Sequence, residues 1–188
     1  MKKQLLLLLL CSAPSFWLPP APIQAAPKAA VTLKWPTIRP ETPKNETGFN
    51  ADYAAVQYLL RARGFYRAKI DGMYGSKTTA AVKAFQKSRK LRVDGVAGPQ
   101  TLPLLVIKIK RGSKGDAVRA AQILVRNMSG INGGTPNLGL EGDGVFGKET
   151  ERAIRIAQES LNLDANRLKV DGVMGPQSWC LMLGGKAV

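Results

Sequence analysis

The side chains that could do chemistry are few. The chain has 188 residues and no histidine. That removes His-ligated zinc, the Ser-His-Asp and Cys-His pairs and every imidazole general base. Two cysteines remain, Cys11 and Cys180, too few for a thiolate metal site or a disulfide framework. Cys180 has no base to activate it, so a buried structural thiol is expected. Paired carboxylates could in principle cut a glycosidic bond. The one acidic cluster is Glu141, Asp143, Glu149 and Glu151. Glu149 and Glu151 fit the start of a helix, where its dipole favours anions, and Asp143 fits a turn. Glu141 alone does not make a glycosidase. No catalytic residue, metal or cofactor is therefore expected.

Four Asp-Gly pairs remain: Asp71-Gly72, Asp94-Gly95, Asp143-Gly144 and Asp171-Gly172. Asp bonds its own local backbone and Gly supplies positive φ, so each reads as a tight turn. They fall in order within an internal repeat. DGMYGSKTTAAVKAFQ at 71–86 matches DGVFGKETERAIRIAQ at 143–158, at an offset of 72. VDGVAGPQ at 93–100 matches VDGVMGPQ at 170–177 except at one position. Gln57 lies 14 residues before Asp71, whereas Gln122 lies 21 before Asp143. Asp71 to Asp94 is 23, whereas Asp143 to Asp171 is 28. The second copy thus carries insertions of 7 and 5 residues, the first containing the loop-like Ser129–Pro136. The copies span 51–106 and 107–185.

Each copy reads as three helices joined by glycine turns, so the class is mainly α. Tyr53, Val56, Leu59 and Leu60 share one helical face, and Gly64 offers a left-handed cap. Ala81, Val82 and Phe85 form the stripe of a second helix. Gly98-Pro99 and Gly175-Pro176 place proline at the start of a third, with Pro103 distorting it in copy one. Lys69-Ile70 and Arg92-Val93 are candidates for a minute strand pair.

With these motifs, each copy resembles the peptidoglycan-binding domain found beside cell-wall hydrolases. Copy one carries Val56-Gln57-Tyr58-Leu59-Leu60, Tyr66, Asp71-Gly72-Met73-Tyr74-Gly75, Thr78, Ala81-Val82, Phe85-Gln86 and Val93-Asp94-Gly95. Copy two carries Asp143-Gly144-Val145-Phe146-Gly147, Thr150, Ala153-Ile154, Gln158, Val170-Asp171-Gly172 and Trp179. Leu102 departs from the family's Trp, and Ala157 from its Phe. The resemblance implies two tandem three-helix modules that bind peptidoglycan without cleaving it. The ligand-binding residues it suggests are Tyr66, Asp71, Gly72, Tyr74, Gly75, Thr78, Asp143, Gly144, Phe146, Gly147 and Thr150. Asp94, Gly95, Gly98, Asp171, Gly172 and Gly175 are assigned to structural turns. Aromatic faces can stack on sugars, but core packing is the competing role for Tyr74, Phe146 and Trp179.

Upstream, Lys2 and Lys3 precede an apolar run from Leu5 to Leu10 and small residues up to Ala25. This reads as a secretory signal over 1–25, too short for a comfortable bilayer span. Cys11 resembles a lipobox cysteine poorly, because Leu10 stands where a small residue is expected. Residues 26–50, marked by Pro27, Pro36, Pro40 and Pro43, read as a flexible or extended tether, with Trp35 either docked or solvated. The formal net charge of +15 falls to +13 without Lys2 and Lys3. Residues 52–105 carry 10 basic against 3 acidic residues, and 106–188 carry 12 against 8. Such a surface suits acidic partners. For an exported chain, expected in the periplasm or cell wall, these are peptidoglycan or a separate wall hydrolase. No specific nucleic acid and no stable membrane span are expected.

Overall fold

The computed structural model describes residues 32–40, 49–131, 142–162 and 168–187. The expected signal at 1–25 and the cores of both insertions, including Glu141, lie outside them. Among the described residues no helix is long and apolar enough to cross a membrane.

The described chain is mainly helical. Its elements run β1 (Leu33–Lys34), α1 (Ala51–Ala62), α2 (Ser76–Ser88), α3 (Leu102–Leu105), α4 (Asp116–Ile131), α5 (Lys148–Asn162), α6 (Pro176–Met182) and β2 (Lys186–Ala187). Copy one supplies α1–α3 and copy two α4–α6. Asn50 caps α1, its Oδ1 accepting from the Asp52 and Tyr53 amides at 2.8 and 3.1 Å. Gly64, at φ 82°, ends α1 as expected, while the Phe65 amide closes back on the Leu60 carbonyl. The apolar stripes of α1 and α2 are buried as read: Val56, Leu59, Leu60, Val82 and Phe85 have no exposure.

The third helices differ. Gly175 precedes α6 and Pro176 opens it, as expected. In copy one, Pro99 lies in a turn and α3 starts only at Leu102, with Pro103 inside its first turn. Proline is tolerated there, because first-turn amides lack helical partners anyway. The suggested strand pair of Lys69-Ile70 with Arg92-Val93 does not form. Among the described residues the pairings that form are β1 with β2 and three isolated bridges: Ile38 with Ala97, Ile109 with Met174, and Lys114 with Val145.

One hydrophobic cluster runs through both copies, with α1 packed on α4. An ion pair crosses the seam, and side-chain bonds within each copy brace it from either side. The Arg61 guanidinium donates twice to the Asp116 carboxylate, both at 2.8 Å. Arg63 spans the end of α3, donating to the Leu104, Leu105 and Val106 carbonyls. The Trp179 Nε1 donates to the Ile107 carbonyl at 2.8 Å, with its ring fully buried.

Residues 32–40 are extended, as a proline-marked segment should be, and they are also docked. Ile38 exchanges both backbone bonds with Ala97 at 2.9 Å, and its side chain is 7% exposed. In copy two, Ile109 and Met174 make the same exchange at 3.2 and 3.0 Å. Ile38 therefore does for copy one what Ile109 does for copy two. Trp35 is half-buried against the core, which decides between its two expected states. The strap ends on β2, where the Lys34 carbonyl lies 3.5 Å from the buried Cys180 Sγ.

Candidate functional site

The four Asp-Gly turns share one construction, centred on a residue type that the sequence reading passed over. In each, a buried glutamine from the preceding helix enters the turn. Gln57 Nε2 shares its N–H groups among Asp71 Oδ1, the Met73 carbonyl and Thr78 Oγ1 at 2.7–2.9 Å. Its Oε1 accepts from the Asp71 and Gly72 amides at 3.2 and 3.1 Å. Gln86 does the same with Asp94, Val96, Thr101 and Gly95. Gln122 does so with Asp143, Val145, Thr150 and Gly144. Gln158 completes the set with Asp171, Val173, Ser178 and Gly172. In every turn Asp Oδ1 also accepts from the amide two residues on, at 2.8–3.0 Å.

Among the described residues the glutamine node thus occurs four times, twice within each copy. Each unit is a helix carrying the Gln on its buried face, then Asp-Gly-x-x-Gly-x-x-Thr or Ser at the start of the next helix. The four turn glycines lie at φ 67–77°, where a side chain would be strained. The glutamine answers a definite problem. A turn buried between helices leaves amides and carbonyls that need partners, and one primary amide offers both kinds.

Electrostatics follow the same bonds. Burial works to raise the Asp71 carboxyl, but bonds from Gln57 and the Met73 amide outweigh it and leave it below the usual carboxylate value. The Val96 amide and Gln86 lower Asp94, and the Val145 amide and Gln122 lower Asp143. Their charged form is thus engaged by the fold.

Of the suggested ligand-binding residues, Asp71, Gly72, Thr78, Asp143, Gly144 and Thr150 lie inside these nodes. Tyr66, Tyr74 and Phe146 are 3%, 7% and 1% exposed, so their ring faces lie in the core. The Tyr66 hydroxyl donates to the Lys69 carbonyl at 3.0 Å, and that of Tyr74 to the Gly95 carbonyl at 2.9 Å. Tyr74 thereby links the two turns of copy one, its ring edge-on to Tyr53 at 5.6 Å, and burial raises its phenol well above its usual value. Gly75 and Gly147 precede α2 and α5, with open space where a Cβ would stand. Asp94, Gly95, Gly98, Asp171, Gly172 and Gly175 lie in the second turn of each copy.

The outer rim of the first turn is apolar. Phe49, 58% exposed, covers Gly72, whose added Cβ would meet the ring at 2.6 Å. Met73 beside it is 54% exposed. Phe49 was missed by the sequence reading because it lies in the segment taken as tether. Of the α5 carboxylates, Glu151 is engaged, pairing with Arg155 at 3.4 Å and Arg111 at 3.6 Å. Among the described residues no group of His, Cys, Asp or Glu side chains could hold a metal ion.

Residues 50–105 match the family model described as "Putative peptidoglycan binding domain". Curated relatives include the "Spore cortex-lytic enzyme" of Bacillus cereus, 37% identical over 84 residues, which are 45% of this chain and 30% of that one. The "Probable N-acetylmuramoyl-L-alanine amidase" of Bacillus licheniformis is 30% identical over 151 residues, 68% of this chain and 41% of that one. The "Putative OxPP cycle protein OpcA" of Nostoc punctiforme is 36% identical over 83 residues, 44% of this chain and 17% of that one. The chain thus spans well under half the length of each. No solved structure matches it. On this evidence the chain carries a peptidoglycan-binding domain at residues 50–105, similar to segments of cell-wall hydrolases.

Proposed function

We propose that this chain is an exported protein that binds peptidoglycan without cleaving it, through two modules of which copy one is the principal. The observation that carries this is the family match of residues 50–105. The reach of the Bacillus licheniformis alignment over 151 residues, longer than either copy, supports a second module of the same kind. So does the recurrence of the glutamine node in all four turns. A non-catalytic role is supported by the lack of histidine, by the ion-paired state of Glu151 and by the burial of Cys180, whose thiol is raised by desolvation.

The test is co-sedimentation of the pure protein with purified sacculi at physiological salt, with each copy's surface varied in turn. We expect retention on sacculi and no release of soluble muropeptides. Complete recovery in the supernatant would sink the binding reading, and muropeptide release would sink the non-catalytic one. A second reading is an adaptor that grips a separate envelope protein such as a wall hydrolase. The Nostoc relative, whose name is not that of a wall enzyme, favours keeping it. Salt-insensitive co-purification of one partner without sacculus binding would decide for the adaptor.

A further inference from the structure

The four-unit repeat allows like to be compared with like, and one helix stands apart. In three turns the residue three before the node glutamine lies over the turn glycine. Arg119 covers Gly144, Arg155 covers Gly172 and Lys83 covers Gly95. Both arginines are engaged. Arg119 donates to the Gly142 and Asp143 carbonyls and pairs with Asp116. Arg155 donates to the Val170 carbonyl and pairs with Glu151. Lys83 lays its stem on Gly95, with Cγ and Cε at 3.3 and 3.0 Å from an added Cβ. Among the described residues its ammonium has no carboxylate within ion-pair distance.

The rest of α2 agrees. Between Ser76 and Ser88 there are three lysines, Lys77, Lys83 and Lys87, and no carboxylate. All three are exposed, on the side opposite the buried Thr78, Val82, Phe85 and Gln86. Lys90 and Arg92 extend the same charge past the helix end, both exposed. The counterpart helix α5 mixes Glu149, Glu151 and Glu159 with its cations. The spaces between the α2 lysines are taken by exposed Ala80 and Ala84, so the face is smooth and carries no large apolar side chain for insertion into a bilayer. From Lys77 to Lys87 the row covers about 15 Å at roughly 1.5 Å per residue.

Lys77 acts on Asp71 only beyond ion-pair distance, and a row of cations without close carboxylates among the described residues suits a partner whose anions also come in a row. We propose that the outward face of α2 is the surface by which copy one takes hold of its polymer, with Lys77, Lys83 and Lys87 pairing with carboxylates borne by the peptides of peptidoglycan. This rests on the peptidoglycan-binding reading and places the affinity on α2 rather than on the Asp-Gly nodes, whose polar groups are committed to the fold.

The experiment uses the full chain and purified sacculi, untreated or with their carboxyl groups converted to neutral amides. The variants are the triple Lys77→Gln, Lys83→Gln, Lys87→Gln, which keeps much of each stem, the matching triple to Arg, and Arg152→Gln on the exposed face of α5. Circular dichroism and urea midpoints confirm that each is folded. Three weak, solvent-screened pairs together give about a tenfold loss for the Gln triple. The Arg triple and Arg152→Gln should bind as wild type, and amidated sacculi should lose the wild type as the Gln triple loses untreated ones. If wild type and folded Gln triple are retained equally, the α2 assignment falls and peptidoglycan binding stands. Should amidation leave wild-type retention unchanged, carboxylates are not the ligand and the proposal also falls. Failure of the wild type to bind any sacculus would overturn the function itself, and this proposal with it.

Discussion

Gln57→Met is the sharpest perturbation of the fold, because it keeps the side chain's length and removes all its polar bonds. Gln57 is fully buried. Its loss leaves the Gly72 amide, itself buried, without its acceptor. Asp71 Oδ1 and the Met73 carbonyl keep partners, since the Met73 amide still donates to the first and the Thr78 hydroxyl to the second. The buried Gly72 amide therefore goes unsatisfied, at about 1–3 kcal/mol, the part-buried Asp71 amide loses the same acceptor but can turn to water, and the charge-assisted bond to Asp71 adds about 1.5–3 kcal/mol less what methionine recovers by apolar burial. The expected loss is about 3 kcal/mol. Urea unfolding measures it: with a slope of about 1–3 kcal/mol per molar, the midpoint should fall by roughly 1–3 M with the slope unchanged. Pairing with Thr78→Val in a double-mutant cycle should show a coupling of at least about 0.5 kcal/mol, since both groups meet in one node. A loss below about 0.5 kcal/mol for Gln57→Met, or strict additivity with Thr78→Val, would refute the claim that the glutamine organises the turn.

Two further outcomes follow from the strap and from the aspartates. Ile38→Ala should destabilise by about 2–4 kcal/mol in the same assay, as for a buried aliphatic side chain, and should speed labelling of Cys180, which the Lys34 carbonyl covers; a solvated tether would show neither effect. Asp71, Asp94, Asp116 and Asp143 all lie below the usual carboxylate value in the folded state. Their contribution is thus complete above the unfolded value of 3.8 and is lost as pH falls below it. With no histidine to titrate, urea midpoints should be level from about pH 5 to 8 and fall steeply below about pH 4. A midpoint unchanged at pH 3 would contradict this.

The helices were legible because their signals are local. The stripe of Val56, Leu59 and Leu60, the cap at Gly64 and the Asp-Gly turns all act within a few residues. The strap was not legible, because Ile38 is one apolar residue among prolines and its partner Ala97 lies 59 residues on. Only the comparison with Ile109 and Met174 explains it. The fourfold unit was half legible. Gln57, Gln86, Gln122 and Gln158 are visible in the repeats, yet a polar residue on a helix reads as exposed until the turn it serves is seen to be buried. The departures at Leu102 and Ala157 also change meaning. Phe85 and Leu102 are buried in copy one, Ala157 and Trp179 in copy two, so each copy places one large aromatic at one of the two positions. Cores tolerate such exchanges when volume and patterning are kept.

The nodes also bear on where a ligand can be held. A binding residue needs hydrogen-bonding capacity or surface that the fold does not use. Asp71 and Thr78 have little to spare, and Tyr66, Tyr74 and Phe146 have no open ring face. The unused capacity lies outside the nodes, on the rim at Phe49 and Met73 and along α2. That division accounts for how the two copies differ. Copy two keeps its nodes intact but mixes Glu149, Glu151 and Glu159 with the cations of α5, whereas α2 of copy one carries three lysines and no carboxylate. The motif therefore maintains the scaffold, and residues between its fixed positions are free to set affinity. Transplanting the charges follows directly. Replacing Glu149 and Glu159 by Lys gives α5 a surface like that of α2, because both are exposed and take no part in the ion pairs of Glu151. The added cations should strengthen retention on sacculi, while loss of the Glu149 anion from the start of α5 costs about 0.3–1 kcal/mol in the urea assay. Unchanged retention would mean that copy two is turned away from the polymer whatever its charge.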